Sequence, residues 1–555
     1  MIQLRSRGPS RLLACLVVGP MLALAACSSE TPEPEAEQTP SGPATAETLR
    51  LGILAEEGNL TPHTYQTGTP GLNLTMLSYD SLMQIDTDGI PQPWLAETVE
   101  ASEDGLSYTV ELTPGVTWQD GEALDAQDVV FSVEYYKAST PGRFQTDLRS
   151  VETATADGDS TVTFALSAPD PSFELRTLAD VPILPEHIWS EIEAPETEPF
   201  SETTNIGSGP YRLVEATPGT SYRFEANPDY FKGAPKVDEL VAIQFADDAG
   251  AIAALRSGEV DTLMRTISPE QIDALQGQGG LEVIEGPEYS TTLLAFNTQQ
   301  APFDDVEFRQ AVASAVDVES LVENVYLGAA TPGNRGWVHP DSPFYNPDVE
   351  STFDPAAAMA QLDEAGYTDE DGDGVRELDG APMSLELLVH GNNALRLRIA
   401  ELLTEQLGEV GITLDVAAVE DQTLIDQVWP EFDVANGRNY EMSVFGWSAP
   451  TQADIGQMAG LVASDPAVGN LNITGFSDPG VDELATQLRS TVDEDARTEV
   501  AYELQEAFAE QVPFVPLLYP NGAYGYQSAV FSDWVSITGQ GPMSKLSFIP
   551  EDGLP

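Results

Sequence analysis

Two hydrophobic periods alternate along this chain. Tyr222, Phe224 and Ala226 interleave with Arg223 and Glu225, the two-residue period of a half-buried strand. Leu106, Tyr108, Val110 and Leu112 repeat it, and Asp-Gly pairs at 104–105 and 120–121 supply turns on either side. Residues 48–54 and 161–166 read as further strands, and 293–298 (LLAFNT) as a buried strand ending in a polar pair. At Phe308 the period changes: Phe308, Ala311, Val312, Ala315 and Val316 fall on one helical face. Leu395, Ile399, Leu402, Leu403 and Leu407 form a second such face, closed by Gly408 and Gly411 before a strand at 412–416. Helix, glycine and strand in repetition indicate α/β layering. Asp125 is placed to cap a helix whose early turns hold Asp128, Val129 and Val133. Between Gly207 and Phe231, GSGPY and NPDYF make two tight corners around the Tyr222–Phe224 strand, each closing on an aromatic anchor.

Length adds lobes to this picture, because 555 residues exceed what one compact core holds. Charge removes a class of function. With 91 acidic against 23 basic residues and a net charge of −68, the chain repels phosphate backbones, so nucleic acid is excluded as a partner. So many carboxylates read as a solvated acidic surface. The cysteines, Cys15 and Cys27, both precede the body, which can hold no internal disulfide. Arg5, Arg7 and Arg11 ahead of an apolar run at 12–24 form an export signal. Residues 28–46 lack large apolar side chains and read as an extended leash, with the body beginning near Thr48. No later apolar run approaches the roughly 20 residues that span a bilayer.

The passages GSGPY and NPDYF, with PWLAETVE, EDGLSYTVEL, GVTWQDGEALDAQDVVFS, SGEVD and FRQAVASAVDVESLV in that setting, resemble family 5 of the extracytoplasmic solute-binding proteins of ABC importers, the dipeptide-, oligopeptide- and nickel-binding type. Leu24, Ala25 and Ala26 before Cys27 resemble a lipoprotein processing site, which makes Cys27 the acylated residue. The resemblance implies an α/β, periplasmic-binding-protein-like fold of two lobes that close like a flytrap, with a third small α+β lobe. It implies a signal peptide at 1–27 and a linker at 28–47. Lobe I would comprise 48–90, 195–295 and 515–555, lobe II 91–194, and lobe III 296–514. The expected activity is capture of a peptide or peptide-like solute for a membrane permease and its ATPase, by an exported monomer held by lipid on the outer face of the cell membrane, which is periplasmic where an outer membrane is present. An oligosaccharide or other non-peptide solute is the first alternative; a secreted, lipid-anchored hydrolase is the second.

Candidate chemistry is sparse. His63, His187, His339 and His390 are scattered, and no metalloprotease, nucleophile-elbow, phosphate-loop or dithiol motif occurs, so no catalytic residue is assigned. Asp369, Asp371 and Asp373 with Gly374 have the spacing of a cation loop, for which a structural calcium ion is the candidate cofactor; Gly380 stands where such a loop closes with a glutamate. The aromatic loops are the better ligand candidates: Trp447 and Ser448, with Trp337, Tyr65 and Tyr440, and Asn297 at a strand end. By the resemblance, the Gly-Trp strand end delivers residues to the cleft. Peptide-binding members carry an aspartate three positions after the tryptophan, where this chain has Pro450.

Overall fold

A computed structural model describes residues 46–54, 58–64, 70–139, 143–192, 195, 201, 205–276, 278–378, 380–448 and 453–555. The strand Phe514–Gln527 passes through the centre of a 12-stranded sheet and belongs to both large lobes. Its first half, Phe514 to Leu518, pairs antiparallel with Thr291–Phe296; from Asn521 onward it pairs with Leu281–Pro287. On the lobe III side the sheet continues through Met442–Trp447, Ser384–His390 and Thr413–Val419. On the lobe I side it runs through Thr262–Leu263, Thr48–Ile53, Glu239–Gln244, Ser221–Ala226 and Tyr211–Thr217. The exchange of strand partners therefore falls at 288–290 and near 519–521. A strand that changes partners halfway has no break in its own apolar pattern to mark the border.

The helices follow their apolar faces. Val306–Ala315 begins at the N-cap Asp305 and buries Phe308, Ala311 and Val312; Ala394–Glu409 buries Ile399, Leu403 and Leu407. Arg309, on the first of them, donates its guanidinium N–H groups to the carbonyls of Gln511, Val512 and Phe303, placing a cation at the C-terminus of Glu494–Gln511. Lobe II is a four-stranded antiparallel sheet of Ala96–Ala101, Ser107–Leu112, Thr161–Leu166 and Val151–Asp157, covered by Ala126–Ala138. Asp125 forms a reciprocal cap with Asp128, which also accepts the indole N–H of buried Trp118 at 3.1 Å. Its core also takes in Tyr79, Leu82 and Met83.

The two corners of 207–231 close on one buried carboxylate. Asp80, fully buried, accepts Trp94 Nε1, Ser208 Oγ and Tyr230 OH, each at 2.9 Å, and Lys545 Nζ at 2.5 Å. The first corner requires glycine for contact reasons, since a Cβ on Gly207 would lie 1.8 Å from the Ser78 carbonyl oxygen.

Candidate functional site

Strand directions locate the cleft. Phe514–Gln527 runs from lobe III into lobe I, and Thr262–Leu263 opposes it, so Thr262–Leu263 and its parallel neighbours Thr48–Ile53 and Glu239–Gln244 all point their carboxyl ends at the junction. In lobe III, Met442–Trp447 opposes Thr291–Phe296, which itself opposes the long strand; Ser384–His390 and Thr413–Val419 are parallel to Met442–Trp447. Their carboxyl ends, at Trp447, His390 and Val419, face the same junction. Open α/β sheets bind ligands beyond the carboxyl ends of their strands, and here two sets of such ends meet.

Arg396 stands at this edge. It is the third residue of Ala394–Glu409, whose cap Asn393 accepts its backbone N–H at 3.0 Å. Its guanidinium lies against Gly446, with Nη2 2.5 Å from where a Cβ there would sit. Among the described residues no carboxylate lies within ion-pairing distance of it, and burial pulls its pKa down from the ordinary arginine value. A cation in the first turn of a helix opposes the helix dipole. The position is thus unfavourable for the protein alone and favourable for a bound anion, which would meet guanidinium and helix N-terminus together.

Trp447 ends its strand opposite Thr291, on the other face of the sheet from Arg396. It packs edge-on against Trp429 and Phe445, and its buried indole N–H meets no acceptor among the described residues. Ser448 follows it, exposed. In lobe I the buried Oε1 of Gln244, at another strand end, also lacks a partner among the described residues.

The other sequence candidates go elsewhere. Trp337 is 1 % exposed within the lobe III core, where it holds a left-handed backbone (φ 70°) and its carbonyl accepts the Tyr519 hydroxyl at 2.8 Å. Tyr440, equally buried, directs its hydroxyl to the carbonyls of Phe296 and Ile473, and Asn297 donates to the Tyr440 carbonyl at 2.9 Å. Tyr440 and Asn297 thus use side-chain polar atoms on the chain itself, and Trp337 does so with its backbone carbonyl. Tyr65, Cys27 and Pro450 lie outside the described residues. Asp369, Asp371 and Asp373 do converge, with one oxygen from each within 4.8 Å of the others. All are exposed, and they accept the loop's own amides, among them Gly374 N–H on Asp369 at 2.9 Å and Asp373 N–H on Asp371 at 3.1 Å. That is the hydrogen bonding of an acidic turn, and it precedes the amino end of Ser384–His390, whose carboxyl end is the one that faces the junction.

Across the mouth, lobe II touches lobe III. Ser172 Oγ donates to Asp454 Oδ1 at 2.8 Å and accepts from Arg497 Nη2 at 3.0 Å; Arg497 also reaches the Pro171 carbonyl, and Arg176 stands 3.9 Å from Asp454. Sequence reading missed Arg396, Ser172 and Asp454 as cleft residues. The one available signal was a cation placed in the first turn of a helix directly after a parallel strand.

Comparisons with known proteins agree with this fold. Residues 91–467 match the family described as bacterial extracellular solute-binding proteins, family 5 Middle. The chain is similar to the oligopeptide-binding protein AppA of Bacillus subtilis, 28% identical over 90% of this chain and 91% of the relative. The solved structure of that protein in complex with a nonapeptide superposes with a TM-score of 0.71 at 26% identity, covering 88% of this chain and 95% of that one. The substrate-binding protein CtaP of Listeria monocytogenes shares the fold, with a TM-score of 0.77 at 24% identity over 91% of this chain and 99% of its own. The chain belongs to family 5 of the bacterial extracellular solute-binding proteins, the solute-capturing, non-enzymatic components of ABC importers.

Proposed function

We propose that the chain captures a peptide with a free carboxyl end in the cleft between lobes I and III and presents it, enclosed, to a membrane permease. Arg396 carries the reading: a partly buried guanidinium at a helix N-terminus, with no carboxylate in ion-pairing distance among the described residues, is suited to receive a carboxylate. The cleft strand ends add unpaired donors and acceptors that suit a peptide backbone, namely the Trp447 indole N–H and the Gln244 carbonyl oxygen. The name of the Bacillus subtilis relative, an oligopeptide-binding protein, supports the same class. A ligand that contacts both lobes stabilises the closed form by its extra affinity for that form. In the test, native mass spectrometry of the purified chain identifies retained cargo, and titration calorimetry compares that peptide with its C-terminal amide. Amidation, or Arg396→Met, should each cost at least about 2 kcal/mol, roughly 30-fold in Kd. Equal affinity for acid and amide overturns the reading, as does retention of an oligosaccharide.

The chain is further proposed to be tethered outside the membrane by acylation of Cys27, on the strength of the basic start, the apolar run and the Leu-Ala-Ala-Cys sequence. Among the described residues no helix is long and apolar enough to cross a membrane. Radiolabelled palmitate should enter the wild-type chain and not Cys27→Ser, which should appear in the medium or periplasm. Equal labelling of both excludes this anchor.

A further inference from the structure

The seam where lobe II meets lobe III has a charge balance unlike the rest of the molecule. The chain carries 91 acidic against 23 basic residues, yet here Arg143, Arg176 and Arg497 stand evenly matched with Asp147, Asp180 and Asp454. In lobe II, Arg176 donates Nε to Asp147 Oδ1 at 2.9 Å and pairs with the same oxygen through Nη2, while Arg143 lies 3.8 Å from Asp147 and 2.5 Å from Asp180. In lobe III, Arg497 Nη2 lies 3.4 Å from Asp454 Oδ1, and the guanidinium stands 5.9 Å from the ring centre of Phe344. Each lobe thus holds an ion pair of its own at the seam. The contacts that cross it are lighter: Arg176 Nη1 is 3.9 Å from Asp454 Oδ2, the Ser172 hydroxyl joins Asp454 and Arg497, and Arg497 Nη1 reaches the Pro171 carbonyl at 3.3 Å. Engagement therefore sets Asp147, Arg176, Asp454 and Arg497 in alternating sign. An apolar contact lies alongside: Val492 of lobe III, 46 % exposed, comes within 3.2 Å of where a Cβ on Gly105 of lobe II would sit.

Parting the lobes here strands no charge. Arg176 keeps Asp147 and Arg497 keeps Asp454, so separation forfeits the attraction across the seam and avoids the penalty of an uncompensated buried ion. A permanent joint is built otherwise. Asp80 and Lys545, both buried, are ion-paired to each other at 2.5 Å, and pulling them apart would leave each without its counter-charge. We propose that lobe II is a reversible clasp on lobe III at the mouth of the cleft, with Arg176 as its moving contact: it favours the closed form when engaged and releases without leaving a buried charge unpaired. The clasp belongs to the closing motion of the lobes and does not depend on which solute is carried.

The test reads the distance between lobes without any ligand. Spin labels are attached at Glu152→Cys in lobe II and Glu483→Cys in lobe III, both exposed positions, in the full chain carrying Cys15→Ser and Cys27→Ser so that no other thiol is present. Pulsed electron resonance then gives the distribution of interlobe distances. Arg176→Gln should lower the ratio of short to long distances about fivefold, and Arg176→Lys, which keeps the charge, should restore most of it. If circular dichroism shows that Arg176→Gln does not fold, Val492→Glu takes its place: this exposed side chain lies outside the core of either lobe, and a carboxylate set against the Gly105 turn should lower the ratio likewise. An unchanged distribution in the folded variant overturns the clasp. Equal loss in Arg176→Gln and Arg176→Lys overturns it as well, because charge would then play no part in holding the seam.

Discussion

Buried charge is handled in opposite ways at two points of this molecule. At the joint of lobes I and II, Asp80 is enclosed by Lys545, Trp94, Ser208 and Tyr230, so its charge is neutralised and its oxygens are occupied. At the joint of lobes I and III, Arg396 lies against Gly446, drawn out of solvent with no ionic partner among the described residues. The first arrangement is complete without anything else and holds structure. The second, on the function proposed above, is completed by a bound anion. A buried charged group therefore reports function by its unmet valence more than by its burial.

The largest expected effect tests the first half of that contrast. Asp80→Ala should cost about 3–5 kcal/mol of stability, because it leaves the Lys545 ammonium buried without an anion. Chemical denaturation of the ligand-free chain measures this. Arg396→Met should leave the denaturation midpoint unchanged or raise it, since it removes an unpaired cation from the wrong end of a helix. If the two substitutions destabilise equally, the distinction between satisfied and open sites fails.

How much of this was legible beforehand follows from how far apart the cooperating residues lie. The helix faces at Phe308 and Leu395 and the cap at Asp125 are local patterns, and the structure has them within a few positions. Ser208 and Tyr230 could be read as members of tight corners. Their common partner could not, because Lys545 is 465 positions from Asp80. The hinge was hidden differently: the chain stays extended through Pro520, Asn521 and Gly522 to Gln527 and only exchanges its neighbour, so no break in the strand marks the border. Arg396 was passed over because charged residues on an amphipathic helix ordinarily belong to its solvated face. Trp337 and Tyr440 were named as site candidates by their type, and the structure buries both, with Trp447, in one aromatic-rich core, a packing that residue type alone does not distinguish from a ligand contact.

An intermediate case is His339, which is fully buried, accepts the Asp341 backbone N–H at Nδ1 (3.0 Å), and has its pKa lowered from 6.5 to about 4 by burial, against the opposing pull of Asp341. The folded form resists protonation more than the unfolded chain does. Its contribution is therefore fully present above pH 6.5 and is lost as pH falls toward 4, by about 3 kcal/mol over the whole interval. Denaturation midpoints recorded between those limits should fall less steeply for His339→Asn than for wild type. Parallel curves would show that this histidine is not the group being charged.

The smallest effect concerns the contact that bridges lobes II and III at the mouth. Ser172 Oγ joins Asp454 and Arg497, so Ser172→Ala removes one hydroxyl between two charged groups of the opposite lobe. Both lobes keep their own cores, and their folding stability should be unaffected. What changes is the free energy of the closed form relative to the open one, by about 1 kcal/mol for a partly solvated bond of this kind. Apparent affinity should weaken about fivefold, through a lower closed population and not through any lost ligand contact. Small-angle scattering separates the causes: the ligand-free variant should show a larger radius of gyration than wild type, and saturating ligand should erase the difference. A weaker affinity with no change in ligand-free dimensions would mean that Ser172 acts on the ligand directly, and the charged mouth would then join the binding site and cease to be a latch over it.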